Sequence, residues 1–463
     1  MSHLIGYNLG ALHQASRELN RKITTKYYPS ASTIDENPVI PSPDVFGQLS
    51  DSHQDNLPTP AQCAVHLELL EVFHALRIKI LDSKELDEIF ELGGATKVVY
   101  RTKFVEGLNK KVNQEITLRN IVWEQNRDNK WTFYLGKAVP RFLVWADEYN
   151  ASLASKLPKD GVDDGRTEIA LTETSWLPPV DVLMVWHAFL LNPSDFLDYC
   201  KKKSWNYLPR VVFPWKLIHK AIRSQGTIRD TWLYEAESWE VPKRNSLVGG
   251  DLLKSIIAKG KNETLRIHEP FSSYTVKELV GNVERQRVFV QKMNAHLWIR
   301  SPALQGTLKR AVERYDRYLQ LFRLYPSKML VPTLDIDLVW HTSQLSPAAY
   351  RSSMETRCGR FINHDDKIAK YKLAVGNDET QKLYRIRFGL EYSVCLCWEC
   401  QAVMSAVEDS DRDGDLEEIR PEGFEENLAD RILEDVKYFR AVESARRRNH
   451  VKLPIRGDWP LVN

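Results

Sequence analysis

Residues 334–347 read LDIDLVWHTSQLSP, and residues 180–193 have already read VDVLMVWHAFLLNP. Aligning Trp186-His187 with Trp340-His341 is a shift of 154 residues. Pro178, Asp181, Val185, Leu191 and Pro193 then fall on Pro332, Asp335, Val339, Leu345 and Pro347, with Phe196 on Tyr350. A second shared pattern precedes each phrase: KAVPRF at Lys137–Phe142 and RAVERY at Arg310–Tyr315, now shifted by 173, so the loop between the two patterns is longer in the first copy. A unit that recurs in this way buries its apolar stripe against its neighbour. The expected fold is therefore mainly α, with two divergent helical repeats packed pseudo-symmetrically and minor β content.

The periodicity outside the phrases agrees. Thr59-Pro60 supplies an N-cap and a first-turn proline, and AQCAVHLELLEVFHALRIKIL places Val65, Leu69, Val72 and Leu76 at helical spacing. Trp131–Tyr149 reads as a helix that Pro140 should kink, followed by an acidic, glycine-containing loop, PKDGVDDGRTE. FPWKLIHKAIRSQ, DLLKSIIAKG and the stretches Thr275–Trp298, Thr307–Tyr325 and Glu426–Arg448 are further helices. Strand-like alternation is scarce, with a small β element expected near LRIHEPFSSY (265–274). The organisation that follows is a flexible Pro/Ser/Asp-rich lead-in over 1–60, a first repeat unit over 61–260, a second with a cysteine cluster over 261–402, and an acidic linker with a C-terminal helix over 403–463.

Composition bounds the partners. A chain of 463 residues exceeds what one core usually supports. Sixty-four Lys and Arg against 62 Asp and Glu leave a net charge of +2, too even to suggest a nucleic-acid partner. No run of about 18 apolar residues suggests a membrane span. Six cysteines, three of them in CLCWEC, do not form a disulfide framework for this length; with no secretory signal at the start, a reducing, cytoplasmic setting is expected.

The repeated phrase then divides by chemistry. Asp181 and Asp335 recur and suit helix capping. Trp186 and Trp340 suit equivalent core slots. His187 and His341 also recur, and an imidazole is both a hydrogen-bond partner for buried carbonyls and the commonest metal ligand. Asp337 does not recur, since Leu183 stands in its place, and it lies four residues before His341 on one helix face. His187, His341 and Asp337 are the candidate catalytic residues. Cys395, Cys397 and Cys400, with His364 or His341 as the natural fourth ligand and Cys358 a further option, are the candidate metal site, suited to zinc or iron. His364-Asp365-Asp366 can bind a hard cation or cap the helix that follows. DSDRDGDLEEIR, from Asp409, imitates a calcium loop but carries Arg420 where a bidentate Glu is needed.

LVPTLDIDLVWHTSQLSPAAYR, GRFINHDDK and SVCLCWECQA resemble the glycine-rich domain protein-like (GRDP-like) family, from about Leu67 to Ala402, and this chain looks like its fungal branch. The resemblance implies an intracellular α-helical domain of unknown activity, with associations to development, stress response and fungal small-molecule (secondary) metabolism. Family members usually continue the phrase as Trp-His-x-His; here Phe189 and Ser343 replace both second histidines. Two readings follow. The preferred one is a helical scaffold or interaction protein, its partner a protein or small molecule. The other is an enzyme using His187, His341 and Asp337, with or without a metal, on a small organic substrate between the repeats.

Overall fold

The computed structural model describes residues 40–105, 107, 109–156, 168–171, 177–223, 250–266, 274–364, 367–412 and 428–447. Most of the lead-in, the acidic loop after α3, Asp365, Asp366, residues 267–273 of the expected β element and the calcium-like loop beyond Arg412 lie outside these residues. Fourteen α-helices and one hairpin make up the described chain: α1 (Pro60–Leu81), α2 (Lys84–Ile89), β1 (Thr96–Val105), β2 (Lys110–Arg119), α3 (Ile121–Lys156), α4 (Val180–Leu190), α5 (Pro193–Lys203), α6 (Trp215–Arg223), α7 (Leu252–Arg266), α8 (Tyr274–His296), α9 (Leu304–Leu324), α10 (Leu334–Gln344), α11 (Pro347–Cys358), α12 (Lys370–Phe388), α13 (Trp398–Arg412) and α14 (Leu428–Arg447). The mainly helical expectation holds.

Helix α1 starts as its sequence requires. Thr59 Oγ1 accepts from the Gln62 amide and Gln62 Oε1 from the Thr59 amide, a reciprocal capping box with Pro60 in the first turn. The helix is apolar on nearly every side, which suits an element surrounded by others. It packs against α3, α6, α8, α9 and α10. Its buried polar residues Gln62, His66 and Glu68 are therefore interior groups that need partners. Around it one contiguous apolar core runs from Phe46 to Val436 and takes in Trp131, Trp186, Trp215, Trp298, Trp340 and Trp398.

Two expectations are corrected. Helix α3 is a single 36-residue element that begins ten residues before Trp131 and runs through Pro140. Among the described residues the paired strands are β1 and β2, outside the expected element; of that element Leu265 and Arg266 belong to α7 and Tyr274 to α8, and the rest lies outside the described residues. The hairpin is antiparallel, with Tyr100 opposite Glu115 and Phe104 opposite Lys111. Its alternation does exist, but Val98, Tyr100 and Phe104 stay exposed, at 50, 67 and 51 %. Lys97, Arg101 and Lys103 alternate with them, so no face reads as a buried one.

Candidate functional site

Each Trp-His helix is seated by an arginine from the preceding long helix. Arg314 of α9 donates from Nε to Asp335 Oδ2 at 2.6 Å, and from Nη2 to Thr333 Oγ1 and the Tyr392 carbonyl at 3.0 and 2.7 Å. Arg141 of α3 donates from Nε to Asp181 Oδ2 at 2.7 Å and from Nη2 to the Gly250 carbonyl at 2.9 Å. These two arginines are the matched positions of KAVPRF and RAVERY. The capping role expected of the aspartates is thus corrected: neither α4 nor α10 has a side-chain cap, and both carboxylates are buried in ion pairs. A buried carboxylate gains more from a nearby guanidinium than from helix amides that are half solvated.

The tryptophans fill core slots, as expected, but differently. Trp340 Nε1 donates to the Tyr350 hydroxyl at 2.9 Å, and that hydroxyl donates to the Ile362 carbonyl at 2.6 Å. In the first copy Phe196 has no hydroxyl, and Trp186 Nε1 is without a hydrogen-bond partner among the described residues.

Both repeated histidines meet a second histidine through Nε2. His187 lies 2.9 Å from His66 of α1. Thr342 donates its hydroxyl to the Leu338 carbonyl at 2.7 Å, so its contact with His66 Nδ1 at 2.8 Å is one in which the imidazole donates. That places the His66 proton on Nδ1, leaves Nε2 as acceptor and makes His187 the donor. All three groups are buried. Burial, with a smaller contribution from His341, holds the His187 pKa down to about 3; burial, with His187 and His341, holds His66 well below the ordinary value. This is a satisfied neutral pair. The ring of His187 also borders a small apolar cleft with Phe73, Met184 and Val290.

The second copy is different. His341 Nε2 lies 3.2 Å from His364 Nε2 and 3.3 Å from Asp337 Oδ1, and His364 Nε2 lies 3.7 Å from the same oxygen. The point equidistant from these three atoms is about 2.0 Å from each, which is the bond length of zinc to imidazole nitrogen and carboxylate oxygen. Asp337 Oδ1 lacks an aligned hydrogen bond despite this crowding, as do His341 Nδ1 and His364 Nδ1. The side chain of His341 is 2 % exposed, that of His364 11 % and that of Asp337 22 %, so one side of the group is reachable from solvent. Burial pushes Asp337 up, but the charges of His341 and His364 outweigh it and hold its pKa below the ordinary value. Burial holds the His341 pKa down to about 4 against the opposing charge of Asp337. Phe289 of α8 packs on His341, with ring centroids 4.3 Å apart, and Trp340 meets His364 edge to face.

The predicted residues therefore regroup. Asp337 and His341 come together; His187 belongs to a separate histidine pair, linked to α10 through His66 and Thr342. His364 joins Asp337 and His341, while Cys395, Cys397 and Cys400 converge without it. Cys358 is a buried thiol elsewhere, 3.6 Å from the Leu319 carbonyl. Sequence reasoning missed His66, whose only signal is a histidine inside an otherwise apolar helix. It also missed the arginines, although their alignment in KAVPRF and RAVERY was visible.

Comparison with known proteins bears on the same helices. Residues 253–353 match the family model described as glycine-rich domain-containing protein-like, a span that contains α8 to α10. The chain is 27 % identical over 276 residues to glycine-rich domain-containing protein 1 of Arabidopsis thaliana, covering 57 % of this chain and 30 % of that protein. It is 26 % identical over 228 residues to glycine-rich domain-containing protein 2 of the same plant, covering 47 % of this chain and 26 % of the relative. The chain thus spans less than a third of the length of these curated relatives, and no solved structure matches it. Among the described residues no helix is long and apolar enough to cross a membrane. These matches support the family that the sequence resembles, and the segment that the family model matches includes Asp337 and His341.

Proposed function

We propose that this protein holds one divalent transition-metal ion on Asp337, His341 and His364, and binds a small ligand, water in the simplest case, at the coordination positions that these residues leave free. The observation that carries this reading is the three-atom geometry: two imidazole nitrogens and one carboxylate oxygen around a point about 2.0 Å from each. Two histidines and one carboxylate with open positions are a donor set suited to zinc or non-haem iron. An ion there would also occupy the buried lone pair of Asp337 Oδ1 and remove the need for two facing Nε2 atoms to share one proton. When bound, the ion supplies Lewis acidity to the ligand it holds. The chain's own contribution is to orient the donors: Arg314 and Asp335 fix the start of α10, and Phe289 and Trp340 wall the imidazoles.

The enzyme reading thus narrows to the second copy. That the two copies form a pseudo-symmetric pair is supported by their matched arginine–aspartate seats. The scaffold reading keeps one observation of its own, the β1–β2 hairpin with exposed Val98, Tyr100 and Phe104 among basic residues, and it is compatible with a metal-holding core.

Elemental analysis of the purified full chain, followed by titration of the chelator-stripped protein with Zn2+, Fe2+ and Co2+, tests the proposal. The expected result is one equivalent of metal, held without sulfur ligation, that is lost in His341→Ala and His364→Ala and retained in His187→Ala. Retention of that equivalent in His341→Ala, or no such binding in the folded wild type, discards it.

A further inference from the structure

Three of the six cysteines behave as small apolar groups. Cys63, Cys200 and Cys358 are buried singly, the ordinary use of a free thiol in a core. The other three gather where the chain enters α13 and remain half-exposed: Cys395 Sγ lies 3.3 Å from Cys397 Sγ, and all three sulfurs lie within 4.8 Å of one another. Their convergence is not a by-product of burial.

The backbone that carries them is pinned by groups other than the thiols. Trp298 Nε1 donates to the Leu396 carbonyl at 2.8 Å, Trp398 Nε1 to the His296 carbonyl at 2.7 Å, and Gln401 Nε2 to the Cys395 carbonyl at 2.7 Å. Gln401 is itself held through Oε1 by Arg310 Nη2 at 2.8 Å. From α14, Arg440 stacks over Trp398 at 4.5 Å and pairs with Glu399. The sulfurs are therefore presented on a braced loop, as donors of a preorganised site are. The Cys400 amide, in the first turn of α13, points at Cys397 Sγ from 3.5 Å and favours negative charge there.

We propose that Cys395, Cys397 and Cys400 bind one thiophilic cation of the zinc class through three thiolates, with its fourth position left to an exogenous ligand. Sulfurs bonded to zinc at about 2.3 Å sit about 3.8 Å apart, a spacing reachable from the observed one by small χ1 adjustments. No histidine or carboxylate among the described residues joins the three sulfurs in one ligand group, so the site differs from a closed four-ligand structural centre. Binding converts three thiols and one M2+ into a tris-thiolate complex of net charge −1, with three protons released, so affinity rises with pH. Because tryptophan and glutamine already hold the loop, the fold does not depend on the ion.

Titrating the reduced, full-length protein with Co2+ as a zinc surrogate tests this separately from the histidine site. In His341→Ala a sulfur-to-cobalt charge-transfer band should saturate at one equivalent; the same band should form in the wild type, disappear on adding Zn2+ and vanish in Cys397→Ser. Zn2+ should also shield Cys395, Cys397 and Cys400 from alkylation, read by mass spectrometry on the wild-type chain, which decides the matter even if Cys397→Ser does not fold. No charge-transfer band, a band that survives Cys397→Ser, alkylation indifferent to Zn2+, or a Cys397–Cys400 disulfide forming in place of the complex would each overturn it. Loss of the cobalt band in Cys397→Ser with metal still bound through His341 separates this inference from the proposed function.

Discussion

The two Trp-His helices share a frame and differ in what the frame holds. Both are seated by a buried arginine–aspartate pair, and both bring their histidine to within about 3 Å of another imidazole. In α4 the position before the turn is Leu183, fully buried, and the partner His66 is committed to Thr342. In α10 that position is Asp337, the partner is His364, and the remaining polar atoms have nothing aligned to bond. The first arrangement is closed and neutral; the second is open and donor-rich. On the proposed reading, a repeated motif becomes packing in one place and a candidate site in another, through an unrepeated acid and the histidine that it meets.

The largest effect should come from breaking the shared frame. Arg314→Met and Arg141→Met each strand a buried carboxylate, at a cost of about 3–5 kcal/mol. Denaturant midpoints should fall in both variants, since each arginine also holds a backbone carbonyl, that of Tyr392 for Arg314 and that of Gly250 for Arg141. An unchanged midpoint in either would mean that the pair does not seat its helix.

Next comes the difference itself. Asp337→Leu turns α10 into the pattern of α4, and it should lower metal affinity by at least about 100-fold, because even outer-shell changes at such sites cost 10–100-fold. Folding stability should stay within about 1 kcal/mol, since Asp337 Oδ1 has no aligned hydrogen bond to lose. Isothermal titration with Zn2+ and thermal unfolding of the stripped protein measure the two separately. His187→Gln should leave the affinity unchanged.

Smaller again is the tryptophan contact. Tyr350→Phe makes the second copy like the first, leaving Trp340 Nε1 and the Ile362 carbonyl without the hydroxyl that joins them, at about 1–3 kcal/mol in urea denaturation. A cost near zero would show that Trp186 is equally comfortable without a partner.

The gentlest test is acid. His66 and His187 are held neutral when folded, His187 down to about 3, whereas an unfolded histidine takes a proton near pH 6.5. The unfolded chain therefore binds more protons in that window. Stability of the metal-free protein should be full above about pH 6.5 and fall as the pH drops toward 3, by up to about 1.4 kcal/mol per pH unit for each group. Urea midpoints between pH 7 and 4 read the slope, and His187→Gln should reduce it.

Much of this was legible in the chain. Helical spacing gave α1 and its cap, and the offset phrases marked α4 and α10 together with Asp337 and His341 as unlike the rest. The hairpin was passed over because its alternation separates two exposed faces, so no apolar side pointed to a core. His364 could be grouped with the thiols on the family pattern alone, because spacing along the chain does not say which of two donor groups a loop histidine folds onto.

Local spacing and the match of one stretch with another carried the mainly helical fold, the two Trp-His helices and the one unrepeated acid. Only the tertiary structure decided what the histidines do. Side chains separated by 121 residues, as His66 and His187 are, meet through packing about α1. The chain between His341 and His364, which are 23 positions apart, turns back after α11 to bring two nitrogens and an oxygen around one point. Donor geometry of that kind is a property of distances between elements, which periodicity along a chain does not encode.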